Sequence, residues 1–238
     1  MHIAILMTNT DESVFAQAWP KDGDKFSALI AKLRPDWEFS VFTVKDGVFP
    51  ADLMAYDGFI ITGSPASVHD DTPWVAMLLA QIRQIADLGT PMFGACFGHQ
   101  AIAMALGGTV GANPSGWVLG HVETTMKGAP IGLYAAHCEQ VLELPPGAVA
   151  LGGNRDCPIG SFACGTTILT TQYHPEMTPD FMGALVDHLD GNLPAPVIAM
   201  ARASLEYLAE TGRMAQGIVD FLEQAGYESA ANKSIAVT

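Results

Sequence analysis

The sequence predicts an α/β protein with a doubly wound, mostly parallel sheet that is flanked by helices. Short apolar runs typical of buried strands alternate with longer segments of helical periodicity, which is the pattern of parallel strands joined by crossover helices. The 238 residues are 49% hydrophobic and 15% charged, a composition that suits a globular domain with a sizeable core. The sequence contains no internal repeat and no low-complexity segment.

The first half of the chain supplies these elements in turn. Strands are predicted over residues 2–7, 38–44 and 57–63, and helices over about 24–34 and 72–87. In the first helix Phe26, Ile30 and Leu33 recur at helical spacing, while Pro73 suits the first turn of the second helix. Gly89 is expected to end that helix.

A central strand over residues 90–95 and a helix from 97 to about 106 follow, and the helix is predicted to stop at the glycine pair 107–108. From about 109 to 163 the β-leaning pattern, interrupted by Gly and Pro, indicates shorter strands and loops. The stretch "TTILTTQYHPE", residues 166–176, then supplies another apolar strand.

Residues 1–190 are therefore predicted to form the α/β domain, and residues 191–228 a helical extension packed on it. In the extension Val197, Ala201, Leu205 and Leu208 share one helix face. A second face carries Met214, Ile218, Phe221 and Ala225. The two helices either fill out the core, or cap the site or form a homodimer interface. The last ten residues, 229–238, are expected to be a flexible tail.

Charge and length restrict the partners and the compartment. The chain has 11 Lys and Arg against 25 Asp and Glu, and a net charge of −14 repels phosphate backbones and anionic lipid headgroups. Nucleic acid and membrane surfaces are therefore not expected as partners. No apolar stretch approaches about 20 residues, and the start lacks the features of a signal peptide, so a cytoplasmic location is expected. The four cysteines form no C-x-x-C pair.

The sequence "GACFGHQ" lies at the predicted turn from the central strand into the next helix. A cysteine flanked by Gly94 and Gly98 at such a turn is typical of a nucleophile elbow, in which the backbone is strained and side chains at the flanking positions would collide with neighbouring elements. The helix N-terminus favours a thiolate at Cys96. Two other interpretations stay open on this motif alone, a buried structural cysteine or a phosphate-binding turn.

A second motif, "TQYHPEM", favours the nucleophile. Residues two apart in a strand face the same side, so the carboxylate of Glu176 can lie beside the imidazole of His174, and Pro175 ends the strand. A nucleophile, a base and a group that orients the base form the general scheme of covalent hydrolysis. His99, by contrast, is a lone helical histidine that we expect to pack or to form hydrogen bonds.

Together, the two motifs resemble those of the class I glutamine amidotransferases, which carry the nucleophile in G-x-C-x-G-x-Q and the His and Glu in H-P-E. The segments "ITGSPASV", residues 61–68, and "AHCEQVLELPPG", residues 136–147, resemble further parts of that family. The similarity covers about residues 56–189 and implies a flavodoxin-like sheet. It also implies that Cys96 attacks a glutamine side-chain amide to form a γ-glutamyl thioester, that His174 shuttles the proton, and that Glu176 orients His174.

The resemblance further assigns the oxyanion hole and the substrate contacts. The N–H groups of Gly63 and Phe97 would stabilise the oxyanion. Gln100 and the main chain near Cys138 and Glu139 would hold the glutamine. This loop departs from the family pattern, which usually has Ser and often Gly at positions 136 and 138, where this chain has Ala and Cys. Trp117 either walls the substrate pocket or covers core.

Three functions remain open at this point. The first is a free-standing hydrolase of glutamine or another γ-glutamyl amide, including a γ-glutamyl peptidase. The second is the ammonia-supplying subunit of a two-chain synthetase similar to GMP synthase, which would need a partner chain because no G-x-x-x-x-G-K-[ST] loop is present. The third is a non-catalytic binding module, which the intact Cys, His and Glu argue against. No cofactor and no metal site are expected.

Overall fold

A computed structural model describes the backbone of residues 1–235 and the side chains of residues 1–226. The strands are β1 (His2–Met7), β2 (Glu38–Thr43), β3 (Gly58–Ile61), β4 (Met92–Ala95), β5 (Thr109–Ala112), β6 (Val118–Met126), β7 (Ala129–His137), β8 (Glu139–Glu143), β9 (Ala148–Gly152), β10 (Ser161–Cys164) and β11 (Ile168–Thr171). The helices are α1 (Val14–Gln17), α2 (Asp22–Ala31), α3 (Pro73–Leu88), α4 (Phe97–Ala105), α5 (Pro179–Leu189), α6 (Ala195–Ser204) and α7 (Thr211–Ile235).

Seven of the strands form the main sheet in the order β2-β1-β3-β4-β11-β10-β9. The five strands from β2 to β11 are parallel, and β10 and β9 extend the sheet in antiparallel fashion. Every residue of β3, β4 and β11 is buried, as expected for strands covered by helices on both faces. The predicted doubly wound α/β fold is confirmed.

Successive side chains of a strand point to opposite faces of the sheet, and this divides the core into two layers. Ile3 and Ile5 of β1 contribute to the layer under α2 and α7, whereas Ala4 and Leu6 contribute to the layer under α3 and α4. The first layer includes Phe26, Ile30, Ile218 and Leu222, and the second includes Leu78, Ile82, Ala101 and Ile102. The apolar residues of the predicted helices therefore face the sheet from opposite sides.

Helix boundaries follow the expected stop signals with small differences. The helix predicted over 24–34 is α2, which spans Asp22–Ala31. A turn follows it before Pro35, in which the N–H groups of Leu33 and Arg34 both donate to the carbonyl of Ile30. Gly89 ends α3 with a positive φ of 63°, as predicted. The single turn α1 was not expected; it is capped by Ser13, whose hydroxyl accepts a hydrogen bond from the N–H of Ala16.

The segment between α4 and β9 forms two antiparallel ladders, β5 with β8 and β6 with β7. β6 and β7 have nine residues each and are longer than the short strands predicted there. Lys127 and Gly128 both have positive φ, 50° and 79°, which is the backbone of the tight turn that joins such a hairpin.

The C-terminal helices contribute to the core. Helix α6 lies on β6, where the hydroxyl of Ser204 accepts a hydrogen bond from His121 N–H at 2.9 Å. Leu208 is 72% exposed, because α6 ends at Ser204 and the predicted face does not continue to it. The tail expected over 229–238 overlaps α7 as far as Ile235, and its last residues, 236–238, lie outside the described residues. Over residues 1–235, no helix is both long and apolar enough to cross a membrane.

The register of the central strands positions the candidate site. Ile61 of β3 pairs with Gly94 of β4, and Ala95 of β4 pairs with Thr171 of β11. Because these strands are parallel, their carboxyl ends meet at one edge of the sheet, which is where ligands bind in open α/β sheets. The segments that begin at residues 62, 96 and 172 therefore lie together.

Candidate active site

Cys96 occupies a strained turn between β4 and α4. Its backbone has φ 51° and ψ −107°, a combination that is uncommon for a residue with a side chain. The Cys96 N–H donates a hydrogen bond of 2.8 Å to the carbonyl of Thr171, which ties the turn to β11. The predicted sharp turn at this cysteine is observed.

The two flanking glycines have the steric role that the sequence predicts. A Cβ at Gly94 would lie 2.6 Å from the carbonyl oxygen of Gly98. A Cβ at Gly98 would overlap the carbonyl oxygen of Ile61, which belongs to the neighbouring strand β3. Both contacts involve backbone atoms that have little room to move, so only glycine lets β3, β4 and α4 approach this closely.

His174 and Glu176 form a buried pair beside the turn. The Nδ1 of His174 lies 2.7 Å from Oε1 of Glu176, and the two side chains are 6% and 1% exposed. The predicted pairing is present, but the reason given for it is wrong. β11 ends at Thr171, so the pair lies in the turn after the strand, where His174 N–H donates to the carbonyl of Tyr134 at 2.9 Å.

The imidazole of His174 is close to the thiol of Cys96. Gly63 lies against both: a Cβ there would be 2.9 Å from Cε1 of His174 and 3.5 Å from Cβ of Cys96. Burial alone would lower the pKa of His174, but the neighbouring sulfur of Cys96 and the carboxylate of Glu176 outweigh it and raise that pKa well above its usual range. The two neighbours therefore favour the protonated form of the His174 ring.

Two backbone N–H groups lie at the strand ends where an oxyanion would form. Within residues 1–235, neither the N–H of Gly63 nor that of Phe97 donates to a backbone carbonyl, whereas the N–H of Gly98 donates to the carbonyl of Thr62 at 3.1 Å. The hydroxyl of Thr8 donates to the carbonyl of Gly63 at 3.0 Å and fixes this segment. The geometry is compatible with the predicted oxyanion hole.

The three residues predicted to hold substrate lie on α4 and at the junction of β7 and β8. The side-chain amide of Gln100 donates to the carbonyl of Glu139 at 2.9 Å and to Oε1 of Gln172 at 3.1 Å. The carboxylate of Glu139 accepts a hydrogen bond from the hydroxyl of Ser67 at 2.8 Å. The side chains of Gln100 and Glu139 therefore already have partners. Cys138 is half-buried, and burial raises the pKa of its thiol.

A cavity of about 430 Å³ opens in front of Cys96 and His174. Gly63, Ala136 and Trp117 line it together with Cys96, whereas Gln100, Cys138 and Glu139 do not. Trp117 therefore walls the pocket, one of the two positions considered for it. The volume falls within the range of about 300–1,000 Å³ that is typical of small-molecule sites.

Much of the cavity wall comes from residues that the sequence analysis missed. They belong to the segment of residues 9–25 after β1, and to α5 after His174. The segment supplies Phe15, Trp19 and Lys25, and α5 supplies Phe181 and Leu185. A signal was available, because the loop after the first parallel strand opens at the same edge of the sheet as the cysteine and carries two aromatic residues.

His99 has the structural role that was expected. It is fully buried, and its Nδ1 lies 2.8 Å from the hydroxyl of Thr170. Burial, with a smaller effect of His137, lowers the pKa of His99 to about 3. The imidazole is therefore neutral at physiological pH and packs between α4 and β11.

Comparison with known proteins identifies the family of this chain. Residues 36–186 match the family model described as glutamine amidotransferase class-I. The chain is 29% identical over 185 residues to γ-glutamyl peptidase 3 of Arabidopsis thaliana, covering 70% of this chain and 74% of that protein. It is 33% identical over 128 residues to a GMP synthase of Corynebacterium diphtheriae, covering 50% of this chain and 23% of that protein.

The fold is also that of solved relatives. The crystal structure of a glutamine amidotransferase from Methylobacillus flagellatus superposes with a TM-score of 0.75 over 96% of this chain and 94% of that chain, at 21% identity. The family model covers more than half of the chain and includes Cys96, His174 and Glu176. The chain therefore belongs to the class-I glutamine amidotransferases and is an enzyme of the amidotransferase and hydrolase kind.

Proposed function

We propose that this chain is a free-standing hydrolase that cleaves γ-glutamyl amides through a thioester on Cys96. The observation that carries the proposal is the convergence of a strained cysteine, a buried His174–Glu176 pair and an open cavity at one edge of the sheet. The similarity to a γ-glutamyl peptidase along 74% of that protein's length supports hydrolysis of a γ-glutamyl bond.

In the acylation step, Cys96 acts as the nucleophile and His174 as the base. The thiol proton passes to the imidazole, and the sulfur attacks the γ-carbonyl carbon of the bound substrate. The N–H groups of Gly63 and Phe97 would then donate to the oxyanion of the tetrahedral intermediate. Glu176 holds the imidazole through Nδ1 and stabilises its positive charge.

The intermediate collapses as the imidazolium gives its proton to the leaving nitrogen. The C–N bond breaks, and ammonia or an amine departs, which leaves a γ-glutamyl thioester on Cys96. His174 then takes a proton from water as the water attacks the thioester carbonyl. The C–S bond breaks, glutamate is released, and the proton returns to the thiolate. No other reactant is needed, so the isolated chain should turn over.

The test is turnover by the purified chain without ATP or any partner. We expect release of glutamate together with an equal amount of ammonia or amine from glutamine or at least one other γ-glutamyl amide. The Cys96→Ser variant should lose the activity, and the Cys164→Ser variant, altered at a cysteine of β10 away from the cavity, should retain it. A chain that is inactive toward a broad panel of γ-glutamyl amides would refute the proposal.

The second candidate is the ammonia-supplying subunit of a two-chain synthetase. A match to a GMP synthase favours this candidate. The aligned residues make up 23% of that protein, so this chain resembles one part of a longer synthase. This reading predicts that the purified chain is nearly silent with glutamine and becomes active when an ATP-using partner is added. Equal rates with and without such a partner would exclude it.

A further inference from the structure

We propose that the part of the cavity beyond His174 is a leaving-group subsite for γ-glutamyl amides whose amine carries an uncharged apolar, preferably aromatic, group. This inference rests on the proposed hydrolase function and names its substrate class. Three features carry it: the position of the cavity relative to His174, an aromatic wall, and charged side chains that already have partners within the protein.

The position of the cavity indicates which half of the substrate it receives. His174 must deliver a proton to the leaving nitrogen, so the leaving group lies on the imidazole side of the thiol. Met177, Phe181 and Leu185 follow His174 in the chain and line the cavity. The predicted contacts for the glutamyl part, Gln100 and the segment 138–139, do not line it. The cavity therefore extends from the thiol toward the leaving group and away from the predicted contacts of the glutamyl part.

Aromatic side chains form the far wall. Trp19 meets Phe181 edge to face, with ring centroids 5.3 Å apart and an interplanar angle of 85°. Phe15 lies 5.9 Å from Phe181 and stacks on His188 at 4.4 Å. Trp19 and Phe15 are half-buried, so their remaining surface can be covered by a ligand. A planar apolar group would bury nonpolar surface against these rings, whereas ammonia or a methyl group is too small to do so.

The charged residues of the wall have partners within the protein. Nζ of Lys25 lies 2.9 Å from Asp22 and 3.6 Å from the centroid of the Phe181 ring. The other carboxylate oxygen of Asp22 accepts a hydrogen bond from the amide of Asn9 at 2.7 Å.

Lys45 is held in the same way. Its Nζ lies 2.7 Å from Glu12 and 2.9 Å from Asp46, and Glu12 also faces Lys21 at 3.6 Å. The two most enclosed lysines of the wall therefore have carboxylates beside them. A charged leaving group would have to displace one of these ion pairs, whereas an apolar group would not.

All γ-glutamyl amides pass through the same chemical steps, so differences in their rates can reveal how the leaving group binds. The sulfur of Cys96 forms its bond to the γ-carbonyl carbon, the C–N bond breaks, and the proton held by His174 goes to the departing amine. Every γ-glutamyl amide then gives the same thioester, which water hydrolyses identically. Differences in kcat/KM between amides of similar basicity therefore report on contacts with the leaving group alone.

The experiment compares three amides: γ-glutamylphenethylamide, γ-glutamylmethylamide and γ-glutamylphenylalanine. The first two differ in apolar size at similar amine basicity, and the third adds a carboxylate to the phenethyl skeleton. We expect kcat/KM to be at least about tenfold higher for the phenethylamide than for the methylamide, because the aromatic ring is buried. We expect kcat/KM for γ-glutamylphenylalanine to be at least about tenfold lower than for the phenethylamide, because its carboxylate would enter the cavity without a counter-ion.

Substitution of Trp19 localises the effect. Trp19→Ala should lower kcat/KM for the phenethylamide about fivefold or more and leave the methylamide within about twofold, and Trp19→Phe should restore most of the loss. The matched control is Val14→Ala in α1, the short helix just before Trp19, because Val14 is 87% exposed and does not line the cavity. Retained methylamide turnover shows that each variant is folded.

The outcomes separate the two proposals. Equal use of all three amides by the wild-type chain, or an equal loss on both neutral amides in Trp19→Ala, would overturn the subsite and leave the hydrolase standing. If no amide is hydrolysed, calorimetry with the Cys96→Ala variant still tests the subsite. Tighter binding of the phenethylamide than of the methylamide would support it, and equal binding would overturn it.

Discussion

The Nδ1–H of His174 donates a hydrogen bond of 2.7 Å to Oε1 of Glu176, and both side chains are almost completely buried. This contact fixes the ring so that its other nitrogen, Nε2, is the one left to face the thiol. The carboxylate also favours the protonated ring that forms when the thiol loses its proton. In the proposed mechanism, this pair prepares His174 for proton transfer in both directions.

Substitutions in the triad should show a graded loss of turnover. Cys96→Ser and His174→Ala should each lower kcat by about 10⁴-fold or more, because they remove the nucleophile and the base. Glu176→Gln should lower it less, by about 10²-fold to 10³-fold, because an orienting group does not touch the reacting atoms. Steady-state kinetics on one γ-glutamyl amide checks the order. A Glu176→Gln variant as active as the wild type would contradict the role of Glu176.

Cys96 should react with iodoacetamide before the other three cysteines at pH 6 to 7. It lines the cavity beside the imidazole of His174, whose raised pKa equips the ring to take the proton from the sulfur. Burial raises the pKa of Cys157 to about 12 and also raises that of Cys138. Peptide mapping after brief labelling gives the order. His174→Ala should slow labelling of Cys96 alone, and uniform labelling of all four cysteines would argue against an activated thiol.

The elbow glycines should resist substitution. Gly98→Ala would push a Cβ into the carbonyl of Ile61 and should destabilise the protein by about 1–3 kcal/mol or more, because backbone atoms must move. The matched control is Gly217→Ala in α7, where nothing lies within 4 Å of the added carbon. That change should be neutral or should stabilise the helix by about 0.5–1 kcal/mol. Thermal unfolding compares the two, and equal melting temperatures would refute the steric argument.

The stability should fall with acid partly because of His99. The pKa of His99 is about 3 when folded and about 6.5 when unfolded, so the unfolded state binds the extra proton between these values. Its contribution is fully present above pH 6.5 and is lost as the pH falls toward 3. The free energy of unfolding should therefore drop by about 1.4 kcal/mol per pH unit from this residue.

The variant His99→Asn provides the check, because the amide can keep a hydrogen bond to Thr170. Urea unfolding at pH 5.0, 5.5, 6.0 and 6.5 should show a flatter pH dependence for the variant than for the wild type. His137, whose pKa burial lowers to about 4, supplies a slope that both proteins share. Identical slopes would mean that His99 is not neutral in the folded protein.

The fold could be predicted well because the central strands have strong local signals. β3 and β4 are short apolar runs in which every residue is buried, and a run that is buried on both faces indicates a central parallel strand. The elbow could be predicted because Gly94 and Gly98 are needed for local steric reasons. Both signals lie within a few residues of the feature that they predict.

The cavity wall could not be predicted to the same extent because it depends on tertiary contacts. Trp19 meets Phe181 across more than 160 positions of sequence, and no periodicity marks such a pair. The His174–Glu176 contact also arises differently from the strand geometry that the sequence predicts. β11 ends three residues before His174, and a turn brings the two side chains together. The pairing was predicted correctly from a strand geometry that is not present.

The most direct test of the central claim is to trap the acyl-enzyme. The purified chain is mixed with a γ-glutamyl amide, quenched in acid within a fraction of a second, digested and examined by mass spectrometry. The proposed mechanism predicts a hydroxylamine-sensitive γ-glutamyl adduct on the peptide that contains Cys96, which builds up in early turnovers and is absent from the Cys96→Ala variant. Turnover by the wild type with no adduct on Cys96, or turnover that persists in Cys96→Ala, would contradict the claim.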